Sequence, residues 1–179
     1  QLIEAEGQRV WVASHPSGGT LGRLAKRALQ GSGHVPRALA TVFYTMDVLR
    51  SVSRYNRASE GTFIFVRYLL GTAYLPRRLA PAGYRLFRNL LPFPDLAVFI
   101  DIEPSVALRR IEARDHRHEM FETLEKLESV RSVAKGMTAD EWTVVDNSED
   151  GEAPFDRLAD VLVARGYLRG AGGVSPGPP

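Results

Sequence analysis

The chain has 179 residues, 44% of them hydrophobic and 25% charged, which is enough for one domain with a substantial core. A formal net charge of +2 with no long Lys/Arg block argues against nucleic acid as a partner, and the absence of cysteine excludes both a disulfide framework and a thiolate metal site. No apolar segment is long enough to span a bilayer and no signal-peptide pattern opens the chain, so the expectation is a cytoplasmic protein with no membrane partner.

Of 23 basic residues only Lys26, Lys126 and Lys135 are lysines. Arginine forks suit bidentate phosphate binding, although genomic base composition produces the same bias.

Gln1–Glu6 reads as the end of a helix, with Gly7 as its C-cap before a short strand, Arg9–Ala13. The loop Ser14-His15-Pro16-Ser17-Gly18-Gly19 follows, and Thr20 caps a helix carrying Leu21, Leu24, Ala25 and Leu29 on one side. Gly31-Ser32-Gly33 ends it. From Pro36 to about Ser59 the pattern is helical, with Val42, Met46 and Leu49 at three-to-four spacing and Phe43 beside them. Phe63-Ile64-Phe65-Val66 is a continuous apolar run, read as a central strand that ends at Arg67-Tyr68.

The spacing then predicts a helix over Leu79–Leu91, broken by Pro92-Phe93-Pro94. Leu96–Ile100 lacks strict alternation, as expected of a strand covered on both faces, and Asp101 sits at its carboxyl end, where open α/β sheets place ligands. Pro104 suits the first turn of the next helix, with Val106, Leu108 and Ile111 facing inward. After the charged stretch Glu112–Glu119, a helix is expected from about Glu119 to Lys135, with Phe121, Leu124, Leu127 and Val130 inward. Trp142–Asp146 is the last strand and Pro154–Arg165 the last helix. Alternating strands and helices predict an α/β, three-layer sandwich with a parallel sheet over residues 1–168. Residues 169–179, mostly Gly and Pro, read as a disordered tail.

From Gly7 to Tyr167 these segments, taken in order, resemble the thymidylate kinase family of nucleoside monophosphate kinases, which have the P-loop kinase fold. Ser17-Gly18-Gly19-Thr20-Leu21-Gly22 is similar to the family's Gly-Gly-Thr loop, and Arg67-Tyr68 to the end of its Asp-Arg-aromatic motif. Pro94–Ile111 is similar to the strand and helix before the lid, Arg114 to Glu122 to the Arg-rich lid, and Val145-Asp146-Asn147-Ser148 to the loop bordering the adenine of ATP. The resemblance implies ATP with Mg2+, a nucleoside monophosphate acceptor and a homodimer. It also implies roles. Arg114 and Arg117 close over the ATP phosphates, Arg67 holds the monophosphate, Phe43 stacks on its base, and Tyr68 and Tyr74 contact base or sugar. Arg110, Asn147 and Ser148 lie on the ATP side. His116 and His118, with no third ligand at suitable spacing, read as surface groups rather than a metal site.

The sequence departs from the pattern in several places. No Gly-x-x-x-x-Gly-Lys-Ser/Thr phosphate-binding loop is present; the two glycine-rich pieces lack its lysine and its magnesium-ligating hydroxyl. The expectation is that the first strand, loop and P-loop helix belong to a longer parent chain. Val66 replaces the family's Asp, Asp47 falls near the position of a family arginine for which Arg50 is a substitute, and His15-Pro16-Ser17 replaces Arg-Glu-Pro. The implied activity of the parent is ATP + dTMP to ADP + dTDP, with this polypeptide alone inactive. The alternatives are a non-catalytic nucleotide-binding or dimerising homologue without a P-loop, or a kinase for another small acceptor.

Overall fold

The computed structural model describes residues 2–29, 34–57, 60–75, 77–113, 123–138 and 141–169. A short helix, α1 (Leu2–Ala5), ends at Gly7, whose φ of 79° suits a residue without Cβ, and the chain enters β1 (Val10–Ser14). Two helices follow, α2 (Thr20–Leu29) and α3 (His34–Tyr55), packed against each other before β2 (Thr62–Val66). A 3-10 turn (Leu69–Tyr74) leads to α4 (Ala80–Leu90) and β3 (Val98–Asp101). Then come α5 (Pro104–Glu112), α6 (Leu124–Met137), β4 (Thr143–Asp146) and α7 (Ala153–Ala164). Prolines sit in the first turn of α4, α5 and α7, where the missing N–H costs no helical hydrogen bond. Among the described residues no helix is long and apolar enough to cross a membrane.

All strand pairing is parallel, as the alternation of elements predicts. The ladder, however, is not continuous among the described residues: β1 pairs with β2 from Val10↔Thr62 to Ser14↔Val66, and β3 with β4 from Val98↔Thr143 to Asp101↔Asp146. His15 N–H extends the first ladder to the Val66 carbonyl (3.1 Å), and Asn147 N–H extends the second to the Asp101 carbonyl (2.7 Å). Both extensions lie at carboxyl ends, so each pair delivers its following loops to one edge.

One core serves both pairs. Val48 and Val52 of α3, Tyr68, Leu69, Tyr84 of α4 and Leu91 are buried together, with Phe65, Phe87, Phe93, Met137 and Trp142 packed around them. Trp142 Nε1–H donates to the Tyr84 hydroxyl at 2.8 Å, which satisfies the indole donor inside that cluster. Leu69 and Val48 are fully buried, each worth about 2 kcal/mol by transfer from water.

Three expectations are corrected. The strands are not covered on both faces: Val12, Ile64 and Val66, which share one face of the first pair, are exposed, as is Ile100 in the second. Tyr55 of α3 packs on Phe63 and Phe65, on the opposite side of β2, and the alternate side chains have no such cover. The stripe Val42, Met46 and Leu49 points outward, because α3 turns Ala40, Asp47, Val48 and Val52 inward instead. Leu124 is exposed on α6, where Ala134 is buried. Gly31 to Gly33, Phe121 and the tail from 170 lie outside the described residues.

Candidate functional site

At the carboxyl end of the first pair the backbone is under strain. Arg67, directly after β2, has φ of 60°, the one described non-glycine residue in the left-handed region. The turn sends successive side chains in opposite directions: Arg67 is exposed and Tyr68 is buried. Tyr68 stacks on Phe65 (centroids 4.8 Å apart) and donates its hydroxyl to the Pro92 carbonyl at 3.2 Å; burial pushes its phenol up to about 12. Its place is therefore in the core, behind Arg67, rather than in the open site where a substrate contact is expected. Tyr44 of α3 donates its hydroxyl to the Arg67 carbonyl and so braces the strained turn. Burial drives the Tyr44 phenol well above its ordinary value, with Arg67 opposing, which keeps it a donor. Among the described residues the exposed Arg67 guanidinium meets no carboxylate. Phe43, half-buried, precedes Tyr44 on α3, and Tyr74, exposed, ends the 3-10 turn.

One helical turn beyond Tyr44, Asp47 is buried and collects the loop after β1. Its Oδ2 accepts from the Ser17 N–H (2.7 Å) and from His15 Nδ1 (3.1 Å), and its Oδ1 accepts from the Ser17 hydroxyl (2.6 Å). Burial raises the Asp47 carboxyl, but the two Ser17 bonds and the His15 bond outweigh it and hold the group below the ordinary carboxylate range. An ionised carboxylate only accepts, so Nδ1 donates to it. His15 is fully buried, edge-on to Tyr44 (centroids 6.2 Å apart), and Nε2 has no hydrogen-bond partner. Ser17 bonds Asp47 and not His15, so the three do not form a nucleophilic relay. Gly22 permits this loop: a Cβ there would overlap the Ser17 backbone.

The second pair ends in a different chemistry. Asp101 accepts from Arg131 Nε (2.7 Å) and Nη2 (3.0 Å) and from Lys135 Nζ (2.8 Å), while Arg131 also reaches Glu103. The Arg131 bonds dominate and set Asp101 below its ordinary range against the effect of burial. Ser148 accepts from the Glu103 N–H (2.9 Å) and donates to Asp146 (2.7 Å). Arg110 donates to the Asn147 carbonyl (2.9 Å), the Glu149 carbonyl (2.7 Å) and Asp150 (3.0 Å). The structure thus joins Arg110, Asn147 and Ser148 in one braced loop, and joins Arg67, Tyr44, His15 and Asp47 in another. Arg114, His116, Arg117, His118 and Glu122 lie outside the described residues.

Magnesium has no protein-held site among the described residues. Among the described residues no group of three or more His, Asp or Glu could hold a metal ion; Asp101 is committed to two cations, and Val66 stands at the expected carboxylate position.

Asp47 and His15 are the residues that sequence reasoning missed as a pair. The available signal was a carboxylate in the series 40, 44, 47, 48 and 52, which the helical period sets on one face.

The thymidylate kinase family model matches residues 1–154. The chain belongs to the thymidylate kinase family. A probable thymidylate kinase from Pyrobaculum calidifontis is 34% identical over 172 residues, covering 90% of this chain and 86% of that protein. A second, from Pyrobaculum aerophilum, is 28% identical over 171 residues with the same coverage. The solved thymidylate kinase of Candida albicans superposes with a TM-score of 0.68 at 15% identity, over 92% of this chain and 84% of that one, which shows a shared P-loop kinase fold. The chain is accordingly a thymidylate kinase-like phosphotransferase of the nucleoside monophosphate kinase class, and its substrates are nucleotides.

Proposed function

We propose that this chain serves the transfer of the γ-phosphoryl group of ATP, carried with Mg2+, to dTMP, giving ADP and dTDP. The observation that supports this most is Arg67, exposed at the carboxyl end of β2 and braced there by Tyr44. In that place a guanidinium meets the acceptor phosphate by two parallel N–H···O bonds and orients one phosphate oxygen for attack on the γ-phosphorus, as the bond to the ADP oxygen breaks. Catalysis of this kind is mostly positioning and charge neutralisation. Phe43 and Tyr74 are proposed for base and sugar, and the braced loop of Arg110, Asn147 and Ser148 for the ATP side. Arg114 and Arg117 are proposed for the ATP phosphates on the family pattern alone. The magnesium ion arrives on the nucleotide phosphates.

Calorimetry tests the acceptor assignment. Arg67→Ala should weaken dTMP binding by roughly one to two orders of magnitude, the worth of a bidentate charged contact, with UMP, AMP and CMP weaker than dTMP for the parent protein. Equal affinity of the variant for dTMP overturns the role of Arg67.

We also propose a homodimer through α3. Val35, Leu39, Val42, Met46 and Leu49 are exposed and alternate at spacings of four and three, the heptad pattern of a helix seam. The cytoplasm, where these nucleotides are found, is the proposed compartment. A second reading is nucleotide binding without catalysis. A coupled assay separates the two, since dTMP binding without ADP formation supports only the second.

A further inference from the structure

His15 Nε2 is a buried polar atom that nothing in the described structure satisfies. Leaving such an atom unpaired costs about 1–3 kcal/mol, so its retention calls for a partner that arrives later. The imidazole is not free to turn away, because Asp47 pins Nδ1 from a buried helix position. Its surroundings belong to the acceptor side: His15 N–H is bonded to the Val66 carbonyl immediately before Arg67, and its ring abuts Tyr44, which braces Arg67.

We infer that His15 is a specificity-determining residue whose Nε2 accepts a hydrogen bond from the acceptor nucleotide once that nucleotide is held at Arg67. The inference rests on the dTMP reading above. In the neutral imidazole with its proton on Nδ1, the form this inference takes, Nε2 rejects carbonyls and phosphate oxygens and takes only N–H or O–H. The nucleotide dTMP offers two such donors, the imide N3–H of its thymine and the 3′-hydroxyl of its sugar. Asp47 acts through His15 as a positioning residue, setting both the tautomer and the ring plane. Ser17, on the same carboxylate, ties the Gly-Gly-Thr loop to that setting. Discrimination of this kind is strong because a ligand without the donor leaves the buried nitrogen unpaired again.

The test reads the imidazole directly. In the protein labelled with 15N-histidine, dTMP should shift the His15 Nε2 resonance, assigned by its loss in His15→Asn. One of two analogues should fail to shift it: N3-methyl-dTMP, which lacks the imide donor, or 3′-deoxy-dTMP, which lacks the hydroxyl. His15→Asn keeps an amide N–H where Nδ1 sits, and so keeps the Asp47 bond, but removes Nε2. It should raise the dTMP Kd about tenfold with an unchanged denaturation midpoint, and His15→Gln, whose amide reaches the Nε2 position, should recover part of the loss. A resonance unmoved by dTMP, or moved equally by both analogues, overturns the inference and leaves Nε2 to a buried water. If the wild-type protein binds no dTMP at all, the acceptor reading itself fails, which is a distinct result.

Discussion

Asp47 is a carboxylate on the inner face of a helix, and its three bonds are the reason the loop after β1 has a fixed shape. Removing it leaves the Ser17 amide and hydroxyl and His15 Nδ1 without an acceptor. Asp47→Ala should therefore cost about 2–4 kcal/mol in urea denaturation. Asp101 and Asp47 both sit below their ordinary carboxylate value of 3.8 in the folded state. The stability they contribute is present above the unfolded value and is lost as pH falls through their lower folded values. Acid titration followed by circular dichroism should show a steep loss below about pH 4, flattened in Asp47→Ala and Asp101→Asn. Gly22→Ala should destabilise by a comparable amount through overlap with the Ser17 backbone, rather than by any change of helix propensity, which favours Ala. The charge pattern made Arg67 legible, since a guanidinium ending an apolar strand has few structural uses. Tyr68, its neighbour, was misplaced because the left-handed turn that buries it is a backbone choice no residue type announces.

At the scale of the element, α3 carries two apolar stripes on one cylinder. Ala40, Val48 and Val52 turn to the core, while Val35, Leu39, Val42, Met46 and Leu49 turn to solvent. Periodicity identifies the helix and not the stripe that is buried, since core and interface draw on the same residue types. The only sequence mark of the inner stripe is the polar pair Tyr44 and Asp47, which a core tolerates because both are bonded. If the outer stripe is the dimer seam, Val42→Glu with Met46→Glu should halve the mass in light scattering and leave the helical content intact. A parent protein that is already monomeric would remove the seam.

For the molecule as a whole, the element order and the parallel sense were legible, because strand and helix periods differ and parallel strands need crossovers. The continuity of the sheet was not, since it depends on pairing across segments rather than on any one of them. All four strands have one unpaired side among the described residues. Together with the missing phosphate-binding loop, this predicts that the chain as given binds ATP weakly. Titration calorimetry should show dTMP saturating at concentrations where ATP does not, and comparable ATP affinity would mean that phosphates are held by groups other than a P-loop. Each ladder closes on a stretch of its own: β1 and β2 enclose α2 and α3, and β3 and β4 enclose α5 and α6. The two closures are consecutive along the chain and never interleave. A backbone severed between β2 and β3 would thus leave every strand covalently tied to its own partner, and the fragments would meet through the core around Tyr68, Tyr84 and Trp142 and through the Arg169–Glu6 ion pair.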